Sequence, residues 1–457
     1  MNFKNLSPNW GVKTLEEIAK KRYGLVDGPF GSDLKSSEYT RDGVPVVRGS
    51  NLSLGGKKFD DTYFVFVSEE KARQLERSIC YPNDIIFTKK GTLGQTGLIP
   101  QNHRFERFLL SSNQMKLSVD ETIADPIFVY YFVSSPASQA KIIRNSEATG
   151  VPKTNLAYLR TFPIPVPPLE EQKAIAAVLS AFDDKIELNR QMNTTLEEMA
   201  RALFKSWFVD FDPVRRSAAG GAAQPYDDLF PSELVVDGNG RELPKGWEIR
   251  ELNKEAEVIK GRSYKSAELE ASDTALVTLK SINRGGGYNP NGLKSYTGSY
   301  KLDQIISPGE LVVAYTDVTQ KAEVIGKPAI VQHCPDFDTL VASLDLGIVR
   351  PTGEGMSVVY LYQLFQTDDF QNHIFGYTNR STVLHLNKDG IPVYQFAKPP
   401  RPILELYREF AKPILQKIQS NDEESRTLAT LRDTLLPRLM SGQLRVPTID
   451  SILEKTL

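Results

Sequence analysis

Cysteine and histidine are scarce in this sequence: two Cys (Cys80, Cys334) and four His (His103, His333, His373, His385) among 457 residues. Two cysteines cannot build a disulfide framework, and the histidines show no paired ligand spacing, so no metal site is expected. No apolar run approaches the roughly 20 residues that span a bilayer. The start, Met1-Asn2-Phe3-Lys4-Asn5-Leu6-Ser7, has no apolar signal core. These absences predict a cytoplasmic protein with no membrane partner. Catalytic signatures are missing too. There is no glycine-rich cofactor loop, and the Pro-Pro pairs are followed by Leu169 and Arg401, not by the aromatic an adenine methyltransferase needs. Gly326-Lys327 runs into Pro328 and lacks the upstream glycine of a phosphate-binding loop. Asp60, Asp61 and the run Glu69-Glu70-Lys71 sketch a nuclease-like carboxylate cluster, but such a run reads better as the solvated start of a helix. No catalytic residue is assigned.

What is present is duplication. Residues 185–208 align without a gap to 417–440, a shift of 232 (417 − 185), placing Lys185, Ile186 and Asn189 on Lys417, Ile418 and Asn421. Upstream, Tyr81-Pro82-Asn83-Asp84 matches Ser307-Pro308-Gly309-Glu310, and Pro8-Asn9-Trp10 matches Pro244-Lys245-Gly246-Trp247. Phe162-Pro163-Ile164-Pro165-Val166-Pro167-Pro168 is matched with Ile391-Pro392-Val393 followed by Pro399-Pro400.

Both aligned segments carry a heptad seam. In the first, apolar or small residues recur at Ile175, Leu179, Phe182, Ile186, Asn189, Leu196 and Leu203; in the second, at Ile414, Ile418, Asn421, Leu428 and Leu435. Each predicts a helix of about 35 residues, or about 50 Å. Neither buries its seam alone, so the two are expected to pair antiparallel as a coiled coil. Asn189 and Asn421 fall at one repeat position, where a buried Asn fixes register.

The halves between these helices read as α+β. Short apolar runs (Val44–Val47, Ile85–Thr88, Gln114–Val119, Leu311–Tyr315, Leu344–Val349) alternate with turn residues, and one helix is expected in each half, Pro126–Arg144 and Val358–Phe375. The expected organisation is a first domain over 1–167, a spacer helix over 168–212 and a linker over 213–243. A second domain over 244–401, a second helix over 402–446 and a tail over 447–457 complete it. The fold class is therefore two similar mixed α/β domains separated by two long antiparallel helices, with pseudo-twofold internal symmetry.

Two similar modules on a fixed spacer suit a periodic partner, and duplex DNA presents its major groove on one face every 34 Å or so. Because the halves differ in sequence, they are expected to read different half-sites. Net charge is −2, but residues 1–167 carry 22 Lys+Arg against 17 Asp+Glu, so a phosphate-binding surface would be a local patch. Candidate DNA-binding residues in the first half are Gly31 and Ser32 in the Gly28-Pro29-Phe30-Gly31-Ser32 loop, Lys35, Arg48 and Asn51, Lys89 and Lys90, and Lys153 and Asn155. In the second half they are Arg262, Lys265, Lys280, Asn283, Arg284, Tyr315 and Arg380. Arg and Asn on one turn form a pair able to read guanine and adenine edges. The competing reading is a coiled-coil scaffold whose globules bind protein or carbohydrate.

Several segments together resemble the DNA-specificity (S) subunits of type I restriction–modification enzymes. They are Gly28-Pro29-Phe30-Gly31-Ser32, Pro167-Pro168-Leu169-Glu170-Glu171-Gln172, Trp207-Phe208-Val209-Asp210-Phe211, Leu243-Pro244-Lys245-Gly246-Trp247 and Leu435-Leu436-Pro437-Arg438-Leu439-Met440-Ser441-Gly442. The second half departs from the pattern, with Gly261-Arg262-Ser263-Tyr264 in place of the Gly-Pro-Phe-Gly loop. The resemblance implies two target recognition domains reading double-stranded DNA, and helices that dock two methyltransferase (M) subunits. It also implies restriction (R) subunits. No cofactor is expected in this chain; S-adenosylmethionine, ATP and magnesium would belong to the partners.

Overall fold

The computed structural model describes residues 6–54, 57–146, 152–222, 224–319, 321–379 and 383–446. The expected tail over 447–457 and the candidate Arg380 lie outside these. The chain divides into two compact units, residues 1–190 with 422–457, and residues 191–421.

In the first unit, Leu25–Asp27, Gln114–Leu117, Ile85–Thr88 and Thr96–Leu98 form a four-stranded antiparallel sheet in that order. A second sheet runs Val65–Val67, Val44–Val47, Phe108–Leu110, Ile79–Cys80, with one parallel pairing, Val46 opposite Leu109. The Val-rich and aromatic composition suits strands whose residues are nearly all buried. A ribbon of Gly11–Thr14 against Pro163–Val166 closes the unit.

The second unit repeats this order. Ala256–Lys260, Leu346–Pro351, Leu311–Ala314 and Pro328–Ile330 form one sheet; Lys294–Ser295, Thr274–Val277, Thr339–Ala342 and Ile305–Ile306 form the other, again with one parallel pair. Glu248–Glu251 pairs with Gln395–Lys398 as the closing ribbon. The matched turns agree in detail: Asn83 and Gly309 both hold left-handed φ (69° and 92°). The Tyr81 and Ser307 amides donate to the Asp84 and Glu310 carboxylates at 2.9 and 2.6 Å.

The long helices span Leu169–Phe208 and Arg401–Met440, 40 residues each, so about 60 Å. The shift of 232 relates both of their ends and also the strands Pro163–Val166 and Gln395–Lys398. The strand match thus lies four residues beyond Ile391-Pro392-Val393, which forms a turn, because the strand is fixed by pairing with Glu248–Glu251. Pro167 and Pro168 stop the preceding strand, and the fully buried Gln172 secures the helix entry. It accepts from the Asp125 amide at 2.9 Å and donates to the Pro167 carbonyl at 2.8 Å.

Every seam residue named from the heptads is buried or half-buried. In the first unit, Ile175, Leu179, Leu436, Leu439 and Met440 share a core with Phe128 and Tyr131. Asn189 donates across to Ser425 at 3.3 Å and to Glu424 at 2.8 Å, and Arg432 reaches Asp183 at 2.6 Å. In the second unit, Asn421 donates to Asn193 at 2.8 Å. Rising numbers on one helix meet falling numbers on the other, so the pairing is antiparallel. Asn189 and Asn421 are 0% and 1% exposed, and each meets the residue four places from its counterpart, Ser425 or Asn193. Shifting by 232 turns one of these pairs into the other.

Three expectations need correction. The helix over Pro126–Arg144 is two helices, Pro126–Val133 and Pro136–Arg144, because Ser135 caps and Pro136 starts a new one. Val358–Phe375 likewise divides into Val358–Leu364 and Asp368–Gly376, with Thr367 capping and two aspartates in the first turn. The stretch 213–243 carries structure of its own: helix Asp212–Ala218 and a hairpin of Leu234–Val236 with Glu242–Pro244. Its Val214, Phe230 and Leu243 enter the core around Trp207 and Trp247, since these apolar side chains give the segment something to bury.

Candidate nucleic-acid interface

Three strand ends of the first unit converge on one cleft. Arg48 follows Val44–Val47, Lys89 and Lys90 follow Ile85–Thr88, and Gln114 begins Gln114–Leu117. The cleft holds about 420 Å³ and is lined by Arg48, Lys90, Gln95, Asn113, Gln114 and Tyr39, among others. The Arg48 guanidinium lies 5.6 Å from the Tyr63 ring centroid, within cation–π range. Its Nε is buried with no hydrogen-bond partner among the described residues. Gln114, 1% exposed, accepts from the Ser111 hydroxyl, and Gln95 donates to the Leu52 carbonyl at 3.3 Å. Lys90 is exposed, and its backbone bridges to that of exposed Lys153. Arg48, Lys90 and Lys153 are therefore brought together. Lys89 sits beside them but its ammonium meets Asp27 at 3.0 Å.

Other candidates have structural work instead. Asn51 is 2% exposed; it accepts from the Arg48 amide at 2.9 Å and donates to the Asp60 and Tyr63 carbonyls at 2.8 and 3.1 Å. Its amide is fully engaged, so the Arg48–Asn51 pairing with bases is withdrawn for Asn51. Asn155 caps helix Leu156–Arg160 through the Tyr158 amide, 2.8 Å away. Gly31 and Ser32 are exposed, and nothing lies near a Cβ built at Gly31. The tight glycine of that loop is Gly28, where a Cβ would strike the Ser111 carbonyl. Lys35 precedes the turn Ser36–Glu38, its amide donating to Glu38 at 2.7 Å, with its side chain exposed. The nuclease sketch dissolves: Asp61 lies 3.8 Å from His103, while Glu69 pairs with Arg107.

In the second unit Tyr315 is a core residue, 5% exposed, with its ring against Gly347. It is corrected from DNA contact to packing, because its large ring fills space that glycine leaves open. Arg262 donates to Ser299 at 3.3 Å, and Arg284, exposed, faces Glu323 at 3.3 Å. Lys265 and Lys280 are exposed on turns; Asn283 is exposed and donates to the Tyr288 carbonyl at 3.2 Å. Lys265-Ser266-Ala267-Glu268 repeats the geometry of Lys35-Ser36-Ser37-Glu38, down to a 2.7 Å amide–carboxylate bond.

The loop after Tyr315 is organised by Asp317, 0% exposed, which accepts from the Thr319, Val324 and Ile325 amides at 2.6, 2.6 and 3.0 Å. Burial pushes its carboxyl up, but the Thr319 side chain and these amides together outweigh burial and hold it below the usual carboxylate range. A carboxyl lowered on folding stabilises above its unfolded value and loses that contribution as pH falls through the lowered one. Asp317→Asn should cost about 1–3 kcal/mol at neutral pH. The deficit should shrink on acidification, as thermal melts across pH would record; a constant gap would contradict the assignment.

The two units share a backbone frame around these positions. The Gly28 amide donates to Gln114 at 2.9 Å and the Gly261 amide to Leu346 at 3.0 Å; Lys89 donates to Asn113 and Tyr315 to Asp345, both at 2.7 Å. A Cβ at Gly261 would strike the Ser343 carbonyl, as one at Gly28 strikes Ser111. Gly261 thus fills the place of Gly28 although the surrounding loop sequence differs. The cleft residues Gln95 and Gln114 escaped sequence reading; Gln114, a buried polar residue opening an apolar strand, is the one signal that pointed there.

Residues 8–198 match the family described as type I restriction modification DNA specificity domain. The chain is 26% identical to the type I restriction enzyme MjaIX specificity subunit of Methanocaldococcus jannaschii over 96% of this chain and 94% of that one. It is 25% identical to the HindI specificity subunit of Haemophilus influenzae, covering 78% and 87%. Its fold is like that of the S subunit of a type I restriction–modification system from M. genitalium, with TM-score 0.53, 15% identity, and 95% and 96% of the two chains covered.

Proposed function

We infer that this chain, which belongs to the type I restriction–modification specificity-subunit family, is the noncatalytic DNA-specificity subunit of such a complex. Each domain reads one half of an asymmetric, two-part site in double-stranded DNA. The observation that carries this reading is the duplicated backbone frame with unlike side chains, which suits two readers of unlike half-sites. The paired helices dock two methyltransferase subunits, which bring S-adenosylmethionine and methylate adenine; restriction subunits add ATP- and magnesium-dependent cleavage. Such a complex works on cytoplasmic DNA, and no helix among the described residues is long and apolar enough to cross a membrane. The scaffold alternative is not favoured, since the matched domain is a DNA-specificity domain.

A footprint of the chain with its methyltransferase subunits tests this reading. Two short protected blocks at a fixed gap are expected; one continuous symmetric block would overturn it. Lys90→Gln combined with Lys153→Gln should weaken binding to all sequences alike. The slope of log affinity against log salt should fall by about 0.9 per lost phosphate contact. An unchanged slope would remove these lysines from the interface.

A further inference from the structure

The internal repeat separates positions that hold the domain together from positions that distinguish the two domains. Around the first-unit cleft, the frame bonds recur in the second unit, as set out for Gly28 and Gly261 and for Lys89 and Tyr315. Ser111 and Ser343 likewise donate to Val47 and Val277, both at 3.0 Å. That register places Thr278 opposite Arg48, Thr316 opposite Lys90, Lys327 opposite Gln95 and Leu346 opposite Gln114. All four cleft-lining side chains differ in kind while the backbone beneath them does not.

Phosphates are the same along any duplex, so contacts to them carry no sequence information, whereas base edges differ. Two readers of different half-sites must therefore differ where they face bases. Lys35 and Lys265, on matching turns, are the kind of contact both halves can share. Arg48 is the opposite case. Its guanidinium is steered by Tyr63, its Nε is shut from water without a partner, and it opens into a cleft walled by side-chain amides. A guanidinium matches the O6/N7 edge of guanine, and Gln amides suit the adjoining edges.

We propose that the Arg48 cleft is the base-reading site of the first domain and that Arg48 reads a guanine of its half-site in the major groove. This rests on the reading of the chain as a DNA-specificity subunit. The test uses the full chain in complex with its methyltransferase subunits, selecting bound sequences from a randomised duplex library.

Wild type should enrich two short blocks, one with a fixed guanine. Arg48→Gln should flatten preference at that guanine alone by on the order of 10- to 100-fold, leaving the other block intact. Arg48→Lys should keep part of the preference, and Gln95→Ala should relax a position next to it; these two decide the matter if Arg48→Gln fails to fold in a melt. Uniform weakening with every position still preferred, and a shallower salt slope, would make Arg48 a phosphate contact and overturn the proposal. Altered preference in the other block, or no change, would also overturn it. A wild-type complex enriching no sequence would instead sink the functional reading beneath it.

Discussion

Leu179→Asp is expected to unfold the first unit, while Leu188→Asp, nine residues along the same helix, leaves its fold intact. Leu179 is 0% exposed, in the core shared by Ile175, Leu436, Leu439 and Phe128. Removing it forfeits about 2–5 kcal/mol of packing. The aspartate must then be protonated or buried without a partner, which adds several kcal/mol. Together these approach the whole 5–15 kcal/mol margin of a typical domain. Leu188 is 51% exposed, so the same charge stays in water there and should change stability by less than about 0.5 kcal/mol. Urea melts of the two variants compare them directly. Equal melting of both variants would mean that the seam does not hold the unit together.

Lys116→Met should cost about 3–5 kcal/mol and lower the melting temperature by about 10 °C, because it strands a buried charge. Lys116 and Asp84 are 3% and 4% exposed, and their charged atoms lie 3.3 Å apart. Asp84 also accepts from the Tyr81 amide, tying the turn Tyr81-Pro82-Asn83 to the sheet. Burial holds the Asp84 carboxyl above the usual range even with Lys116 beside it. Without the lysine that opposing attraction is lost and the carboxyl rises further. A carboxyl raised on folding opposes stability in full above its folded value, less as pH falls from there, and not at all below its unfolded value. The variant's deficit should therefore be largest at neutral pH and diminish in acid. Adding Asp84→Asn, which retains an acceptor for Tyr81, should recover most of the loss. If the double variant is no more stable than Lys116→Met, the pair is not what the turn depends on.

Periodicity and duplication were legible in the residues themselves. A seam at +4 and +3 spacing is a property of the chain alone, so the helices Leu169–Phe208 and Arg401–Met440, their partnership and the buried Asn189 and Asn421 could be read before any coordinates. Strands such as Val44–Val47 and Ile85–Thr88 were equally plain, because a run of β-branched and apolar residues between turns has few other places to go. Less legible were the breaks at Ser135-Pro136 and Thr367-Asp368, where local capping interrupts a longer apolar pattern.

The candidate site was only partly readable. Arg48, Lys90 and Lys153 were picked by residue type, but so were Asn51, Asn155 and Tyr315, which the fold spends on a turn, a cap and a core. Composition shows that a polar group needs a partner; it does not show whether that partner is the protein's own backbone.

The sequence by itself determined the repeat, the two seams and the α+β character, since each is written as spacing along one chain. Only the tertiary structure decided which polar side chains turn inward, that Gly261 fills the place of Gly28, and that Arg48 shares a cleft with Gln95 and Gln114. Those outcomes depend on strand pairings between residues about 30 to 90 positions apart, and no local pattern encodes which distant backbone will satisfy a given donor.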